Sequence, residues 1–276
     1  MMIGVGLDAR LGLPFEQLRA VAREAERLGF ESLWTPAGGV PDSFHVCSAW
    51  SQDTALRTGI SVVPAARMWT PMGLAAQAAT LAQLSDGRFV LGVGTGGYGP
   101  KFWASVGLPD RPIAIMRQYV GAIRGLLACE QVTAGPIIAR AGMGSGAPGW
   151  PQSASLGIGA LPAAPVALAA LGPQMLRLAG EAADGACLNW ASPDQIAWSR
   201  ERLAEGATKA GRVSPSVTRT SIASPRCSAT EGAWSKVNST RNRPLVTWGR
   251  TRLTVRVSAR PSSSAEAFWP GATRPR

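Results

Sequence analysis

Gly87-Arg-Phe-Val-Leu-Gly-Val-Gly-Thr-Gly-Gly97 runs a short apolar strand into a cluster of glycines. Val166-Ala-Leu-Ala-Ala-Leu-Gly-Pro-Gln-Met-Leu-Arg-Leu-Ala-Gly180 does the same, and here Pro173 opens a helix at once. Apolar runs of this length fit strands covered on both faces, as in a parallel sheet. A strand that ends in glycine and a helix amino terminus gathers unpaired backbone N–H groups, which suit an anion. Two such units in one chain point to a cofactor-binding protein of the α/β class.

The same alternation extends on both sides. Ile3 to Leu7 reads as a strand, followed by a helix from Pro14 whose apolar positions Phe15, Leu18, Val21, Ala22, Ala25 and Leu28 recur at helical spacing until Gly29. Strands are expected at Ser32–Trp34, Thr58–Val63, Phe89–Val93, Val166–Ala169, Ala186–Leu188 and Val217–Ile222. Between them fall helices near Phe44–Ala55, from Pro71 (capped by Thr70), at Ile113–Leu127, Pro173–Ala183 and Pro193–Ala210. Gly135 to Pro165 is dense in small residues and proline and reads as loop. Seven short strands with crossover helices favour a (β/α)₈ TIM-barrel variant, incomplete at its carboxyl end, over a doubly wound sheet. The expected division is a barrel domain over residues 1–222 and a basic tail over 223–276.

Composition narrows the function classes. The chain has 276 residues, 46% of them hydrophobic, enough for one large domain or two small ones. The longest apolar run, Leu156 to Gly172, contains Pro162 and Pro165 and makes a poor membrane span. Met1 to Asp8 has no basic leader and reads as a strand rather than a signal peptide. Cys47, Cys129, Cys187 and Cys227 form no C-x-x-C pair, which argues against a metal centre and fits a reducing cytoplasm. His45 is the only histidine, and no nucleophile motif stands near it, so a hydrolytic triad is not supported.

The formal charge of +11 suggests nucleic acid at first sight. Yet residues 1–212 carry a net charge of only +2, and residues 213–276 carry +9. The excess belongs to the tail, where Ser, Thr, Arg and Pro dominate and the periodicity ends. Leu245 to Val257 alternates weakly and is expected to form at most one strand. A change of reading frame near residue 223 would account for this break, and the alternative frames of the coding DNA test it. Binding of nucleic acid through the tail, with Trp234, Trp248 and Trp269 stacking on bases, is the least favoured function.

Gly92, Gly94 and Gly97 satisfy G-x-G-x-x-G, but Tyr98-Gly-Pro100 follows where a helix should start. Arg117 stands near where the ribose-binding acid of a dinucleotide fold belongs. Thr95 and Gly96 are therefore read as the end of a barrel strand. Ala170, Leu171 and Gly172 precede Pro173, and the free amides at Gly172, Gln174 and Met175 are the expected phosphate donors.

Leu28-Gly-Phe-Glu-Ser-Leu-Trp34, Thr58-Gly-Ile-Ser-Val-Val-Pro64, the Gly87–Gly96 stretch and Leu168 through Gly185 together resemble the luciferase-like monooxygenase superfamily over residues 1–222. Its members are flavin- or deazaflavin-dependent oxidoreductases on a TIM-barrel variant, and the chain is most similar to the coenzyme F-420 branch. The resemblance implies coenzyme F-420, with FMN as alternative, and a small-molecule substrate. A monooxygenase acting on paired donors with oxygen is a further option. It also implies a bulge with a non-proline cis peptide at Ser61–Val62 behind the cofactor ring. Thr95 and Gly96 would lie along the ribityl chain, Asn189 at the phosphate, and the outer helices would pair two subunits. Two departures stand out. Ala37-Gly38 occupies the place of an Asp-His pair, and Gly97 that of a Glu, so no catalytic residue is assigned and a sugar-phosphate substrate is disfavoured. Trp34, Trp69, Trp103 and Trp190 would either line the substrate pocket or serve packing. The competing reading is an inactive barrel remnant.

Overall fold

The computed structural model describes residues 4–8, 11–64, 69–96, 100–105, 107–133, 135–137, 153–157, 159, 162, 164–189, 191–213, 215–220, 245–248 and 251–254. The chain separates into two compact units, Met1–Ser224 and Pro225–Arg276. In the second, β8 (Leu245–Trp248) and β9 (Thr251–Thr254) form an antiparallel hairpin, where one strand at most was expected.

The first unit alternates strand and helix: β1 (Gly4–Gly6), α1 (Phe15–Arg27), β2 (Ser32–Thr35), α2 (Ser43–Asp53), β3 (Arg57–Pro64), α3 (Pro71–Leu84) and β4 (Phe89–Gly94). It continues with α4 (Pro100–Ser105), α5 (Pro112–Leu127), β5 (Val166–Ala169), α6 (Pro173–Ala182), β6 (Gly185–Asn189), α7 (Pro193–Lys209) and β7 (Ser216–Thr220). The strands pair in chain order, all parallel, as one seven-stranded sheet. Among the described residues β1 pairs only with β2 and β7 only with β6, so the barrel is incomplete.

Local chemistry sets the helix starts. The Asp42 carboxylate accepts from the Phe44 and His45 amides and caps α2. Thr70 accepts from the Gly73 amide at the head of α3, and Ser192 with Gln195 forms a reciprocal capping box on α7. Gly29, with φ of +79°, ends the α1 turn in a conformation that side chains disfavour. The short helix α4 was not expected; it carries Trp103, which is buried.

Strand register sorts the side chains into two faces, because directly paired residues of a parallel sheet point the same way. One face carries Leu33, Thr58, Ile60, Phe89, Leu91, Val93, Leu168 and Leu188, all essentially buried. This face meets the helices: the Thr58 hydroxyl bonds Ser51 of α2 at 3.0 Å, and the rings of Phe89 and Phe44 lie 6.4 Å apart. Ala22, Trp50, Leu74, Tyr119, Leu176 and Leu203 complete that core from the helix side. Trp50 also donates to the Leu18 carbonyl at 3.0 Å, which ties α2 to α1.

Candidate functional site

The opposite face of the sheet is built from small residues. Gly4 and Gly6 lie on β1, Gly59 on β3, Gly92 and Gly94 on β4, Ala167 and Ala169 on β5, and Gly185 on β6. Trp34, Val90 and, at the edge, Arg57 are the larger members of this face; a Cβ added to Gly59 would stand 2.4 Å from the Trp34 ring, so the indole lies against that glycine. The Trp34 indole N–H donates to Ser32 at 3.0 Å. Ordinary TIM barrels fill this face with branched side chains. Here small residues leave the inner face of the curled sheet, the trough, with little side-chain bulk at Gly92, Gly94, Ala167 and Ala169.

Ser61 and Val62 break the alternation. The β3–β4 register shifts between Ile60 and Val63, so two residues of β3 bulge over one position of β4. The Ser61–Val62 peptide is cis, the geometry that the resemblance implies at this bond. Val62 packs over Gly92 and Gly94: Cβ atoms built there would lie 3.0 and 3.1 Å from its methyl groups. A Cβ on Gly92 would also stand 2.2 Å from the Ile60 carbonyl oxygen, so the bulge requires glycine at this position. The consequence is two consecutive side chains, Ser61 and Val62, on the trough face.

Because all seven strands run parallel, their carboxyl ends share one rim. Thr95 and Gly96 follow β4 there, half-buried and exposed respectively, with Gly96 at φ of +83°. Ala170 follows β5 and is buried, its amide donating to the Cys187 carbonyl at 3.1 Å. Leu171 is 67% exposed. Gly172 caps α6 with no side-chain acceptor, and Pro173 takes the first helical position. The first α6 amide to find a carbonyl one turn back is that of Leu176, which donates to Gly172 at 3.0 Å. The Gln174 and Met175 amides precede it and have no such partner within the helix. Asn189, exposed, ends β6 at the same rim.

Beside this helix start lies an open cleft of about 480 Å³, lined by Arg111, Pro112, Ile113, Ala114, Arg117, Gln118 and Gln174. It brings the amino ends of α5 and α6 together with two arginines. Arg117 makes a bidentate pair with Glu181, which holds its charge in place and depresses the Glu181 carboxyl below the usual range. Arg111 makes no ion pair with any described residue and is exposed. The sequence reading did not single out Arg111 or Gln118. They stand more than fifty residues from Gln174, and only the packing of α5 against α6 joins them.

The tryptophans divide. Trp103 is buried packing, while Trp69 is half-buried and meets Phe44 edge-on at 5.5 Å. Trp190 and Gly97 lie outside the described residues. His45 sits in the first turn of α2, 80% exposed at its side chain and 3.1 Å from Asp42. Ala37 and Gly38 lie in the loop after β2. No group of metal-binding side chains and no helix long and apolar enough to cross a membrane occurs among the described residues.

The chain matches the luciferase-like monooxygenase family over residues 2–269. It is 29% identical over 203 residues to a 5,10-methylenetetrahydromethanopterin reductase of Methanolobus tindarius, covering 72% of this chain and 58% of the relative. A protein of Mycobacterium tuberculosis named as a coenzyme F420-dependent oxidoreductase is 30% identical over 226 residues, 76% of this chain and 63% of the relative. The chain thus spans about three fifths of the length of these relatives. Among solved structures, the coenzyme F420-dependent tetrahydromethanopterin reductase of Methanopyrus kandleri superimposes with a TM-score of 0.60 at 21% identity, covering 79% of this chain and 65% of that one. The oxygenating constituent of 3,6-diketocamphane monooxygenase of Pseudomonas putida, in complex with FMN, gives 0.57 at 18% identity, covering 77% and 64%. At these identities the superpositions establish a shared fold.

Proposed function

The chain belongs to the luciferase-like monooxygenase family, and from that premise we propose that it is an oxidoreductase that binds coenzyme F-420, with FMN as alternative, and acts on a small-molecule substrate. The observation that carries this reading is the convergence at one rim: the small-residue trough, the Ser61–Val62 bulge and the uncapped start of α6. A flavin-type ring supplies the hydride chemistry itself. The protein's part is to bind and orient. Gly92, Gly94, Ala167 and Ala169 provide the flat floor, and Val62 the apolar support. In this proposal the ribityl chain passes Thr95 and Gly96, which follow β4 at the rim. The Gly172, Gln174 and Met175 amides with Asn189 are the phosphate donors in this proposal, and Arg111 adds positive charge from the adjoining cleft. F-420 is preferred over FMN because the relatives near 30% identity are named for F-420 or for a methanopterin reductase. The working compartment is taken as the cytoplasm, where Cys47, Cys129 and Cys187 stay as free thiols.

The test is titration of the purified protein with coenzyme F-420, FMN and riboflavin, followed by fluorescence and visible absorbance. Saturable binding is expected, with FMN at least tenfold tighter than riboflavin because only FMN engages the α6 amides, on the order of one or two charge-assisted hydrogen bonds. Binding of none of them rejects the proposal. One observation favours a second reading, an inactive remnant: the outer edges of β1 and β7 are unpaired among the described residues. A monodisperse sample with a cooperative thermal transition and no redox turnover would point to a folded but inactive chain, while a monodisperse sample that binds cofactor and turns it over excludes the remnant.

A further inference from the structure

We propose that the cleft beside α6 receives the carboxylate-bearing tail of coenzyme F-420, and that Arg111 is the residue that distinguishes this cofactor from FMN. This assignment rests on the cofactor reading above and extends it past the phosphate. The two cofactors differ beyond that group. FMN stops at its phosphate. In F-420 the phosphate is a diester that continues into a lactyl group and γ-linked glutamates. A protein that takes F-420 therefore has a flexible polyanion to place next to its phosphate donors, and one that takes FMN does not.

The cleft meets that need in position, size and charge. Gln174, one of the proposed phosphate donors, also lines the cleft, so a chain leaving the phosphate enters it directly. The volume, about 480 Å³, is far more than a lone phosphate fills. It falls in the range of pockets that hold drug-sized ligands, roughly 300–1,000 Å³. Pro112, Ile113 and Ala114 give it an apolar wall, which suits the methylenes of a γ-linked chain. No acidic side chain lines it among the described residues. The two arginines have separate parts. Arg117 is committed to Glu181 in a bidentate pair, which offsets its charge. Arg111 is exposed and pairs with no described acid, so it is the uncompensated cation of the cleft. Its planar fork matches a carboxylate at two points. The Arg111 carbonyl accepts from the Ile115 amide at 3.0 Å, but its side chain makes no capping bond to α5. The guanidinium can thus be replaced without disturbing the helix start.

The experiment measures the affinity of wild type, Arg111→Ala, Arg111→Lys, Arg111→Glu and Arg200→Ala for three ligands. These are F-420 with two glutamates, F-420 trimmed back to its lactyl group, and FMN. Arg200, exposed on α7, is the control for loss of a surface charge. Wild type is expected to bind the glutamylated form at least threefold more tightly than the trimmed one. Arg111→Ala weakens the glutamylated form about three- to tenfold, and changes trimmed F-420 and FMN by less than about twofold. Arg111→Lys recovers part of the loss, and Arg111→Glu deepens it. Arg200→Ala behaves as wild type. At about 1 M salt, where charges are screened within about 3 Å, the preference for the tail disappears. Unchanged thermal midpoints show that the Arg111 variants are folded. Wild-type affinity of Arg111→Ala for the glutamylated form, or an equal loss with all three ligands, overturns the assignment; the equal loss would place Arg111 at the phosphate instead. A chain that binds FMN but not F-420 keeps the cofactor reading and overturns this one. If wild type binds none of the three, it is the cofactor reading that fails, and this assignment goes with it.

Discussion

Asp53 illustrates how single charged residues hold the outer layer. Its carboxylate accepts from Arg19 through Nε at 2.7 Å and Nη2 at 2.6 Å, and from Arg23 at 2.8 Å. The Arg19 hydrogen bonds, above all, hold the Asp53 carboxyl below the usual carboxylate range. Its side chain is only 9% exposed, so the pair joins α1 to α2 across a half-dry seam. A depressed carboxyl stabilises the fold once it is ionised. The contribution is therefore complete above about pH 4 and is lost as pH falls through the lower folded-state value. Asp53→Asn is expected to melt earlier than wild type at pH 7, with the gap closing toward about pH 3. A gap that stays constant over that range would remove the ion pair from the account. Residues of this kind are legible in sequence only as charges. Nothing in the spacing of Arg19 and Asp53 says that they meet.

Helices α6 and α7 pack more closely than side chains normally permit. A Cβ on Gly180 would stand 2.0 Å from the Leu203 carbonyl oxygen, and one on Gly206 would stand 1.9 Å from the Arg177 carbonyl oxygen. Both obstacles are backbone and cannot swing aside. Arg212 then clamps the seam from beyond α7, donating to the Gly180, Glu181 and Ala183 carbonyls at 3.3, 3.1 and 2.9 Å. Gly180→Ala and Gly206→Ala are each expected to cost about 1–3 kcal/mol by forcing the helices apart. Denaturant unfolding measures this, and a loss under about 0.5 kcal/mol for both would show that the crossing tolerates a methyl. The seam also carries α6, whose first turn faces the rim, so the same variants are expected to loosen the phosphate binding proposed there.

Element by element, the sequence was most readable where a period was long. Helices α1, α3, α5, α6 and α7 announce themselves by apolar spacing and by Pro or Thr at their starts. Six-residue α4 has no period to read, and only the burial of Trp103 explains it. The Ser61–Val62 bulge carries no glycine or proline of its own. It came from family resemblance, and its physical basis lies in Gly92 on the next strand. The cleft beside α6 was illegible for a simpler reason. It joins residues far apart in the chain, and local patterns hold no record of such meetings.

At the scale of the whole molecule, the first unit presents a curled parallel sheet with its helices gathered on one face and a shallow trough on the other. A ligand seated in that trough would touch β3, β4, β5 and β6 at once and bind the folded state alone. Cofactor at about a hundred times its dissociation constant is then expected to add about 2.7 kcal/mol to stability, which corresponds to a rise of roughly 5–10 °C in the thermal midpoint. A melting curve unmoved by saturating coenzyme F-420 and FMN would contradict a site spread over these strands.

The unjoined margins of the sheet set an order in which the molecule comes apart. Among the described residues, central β4 is flanked on both sides and backed by the helix layer, whereas β1 and β7 each lean on a single neighbour. Thermal fluctuation is then expected to peel this sheet from its two margins inward, as a scroll opens, with the strands that form the floor of the trough the last to separate.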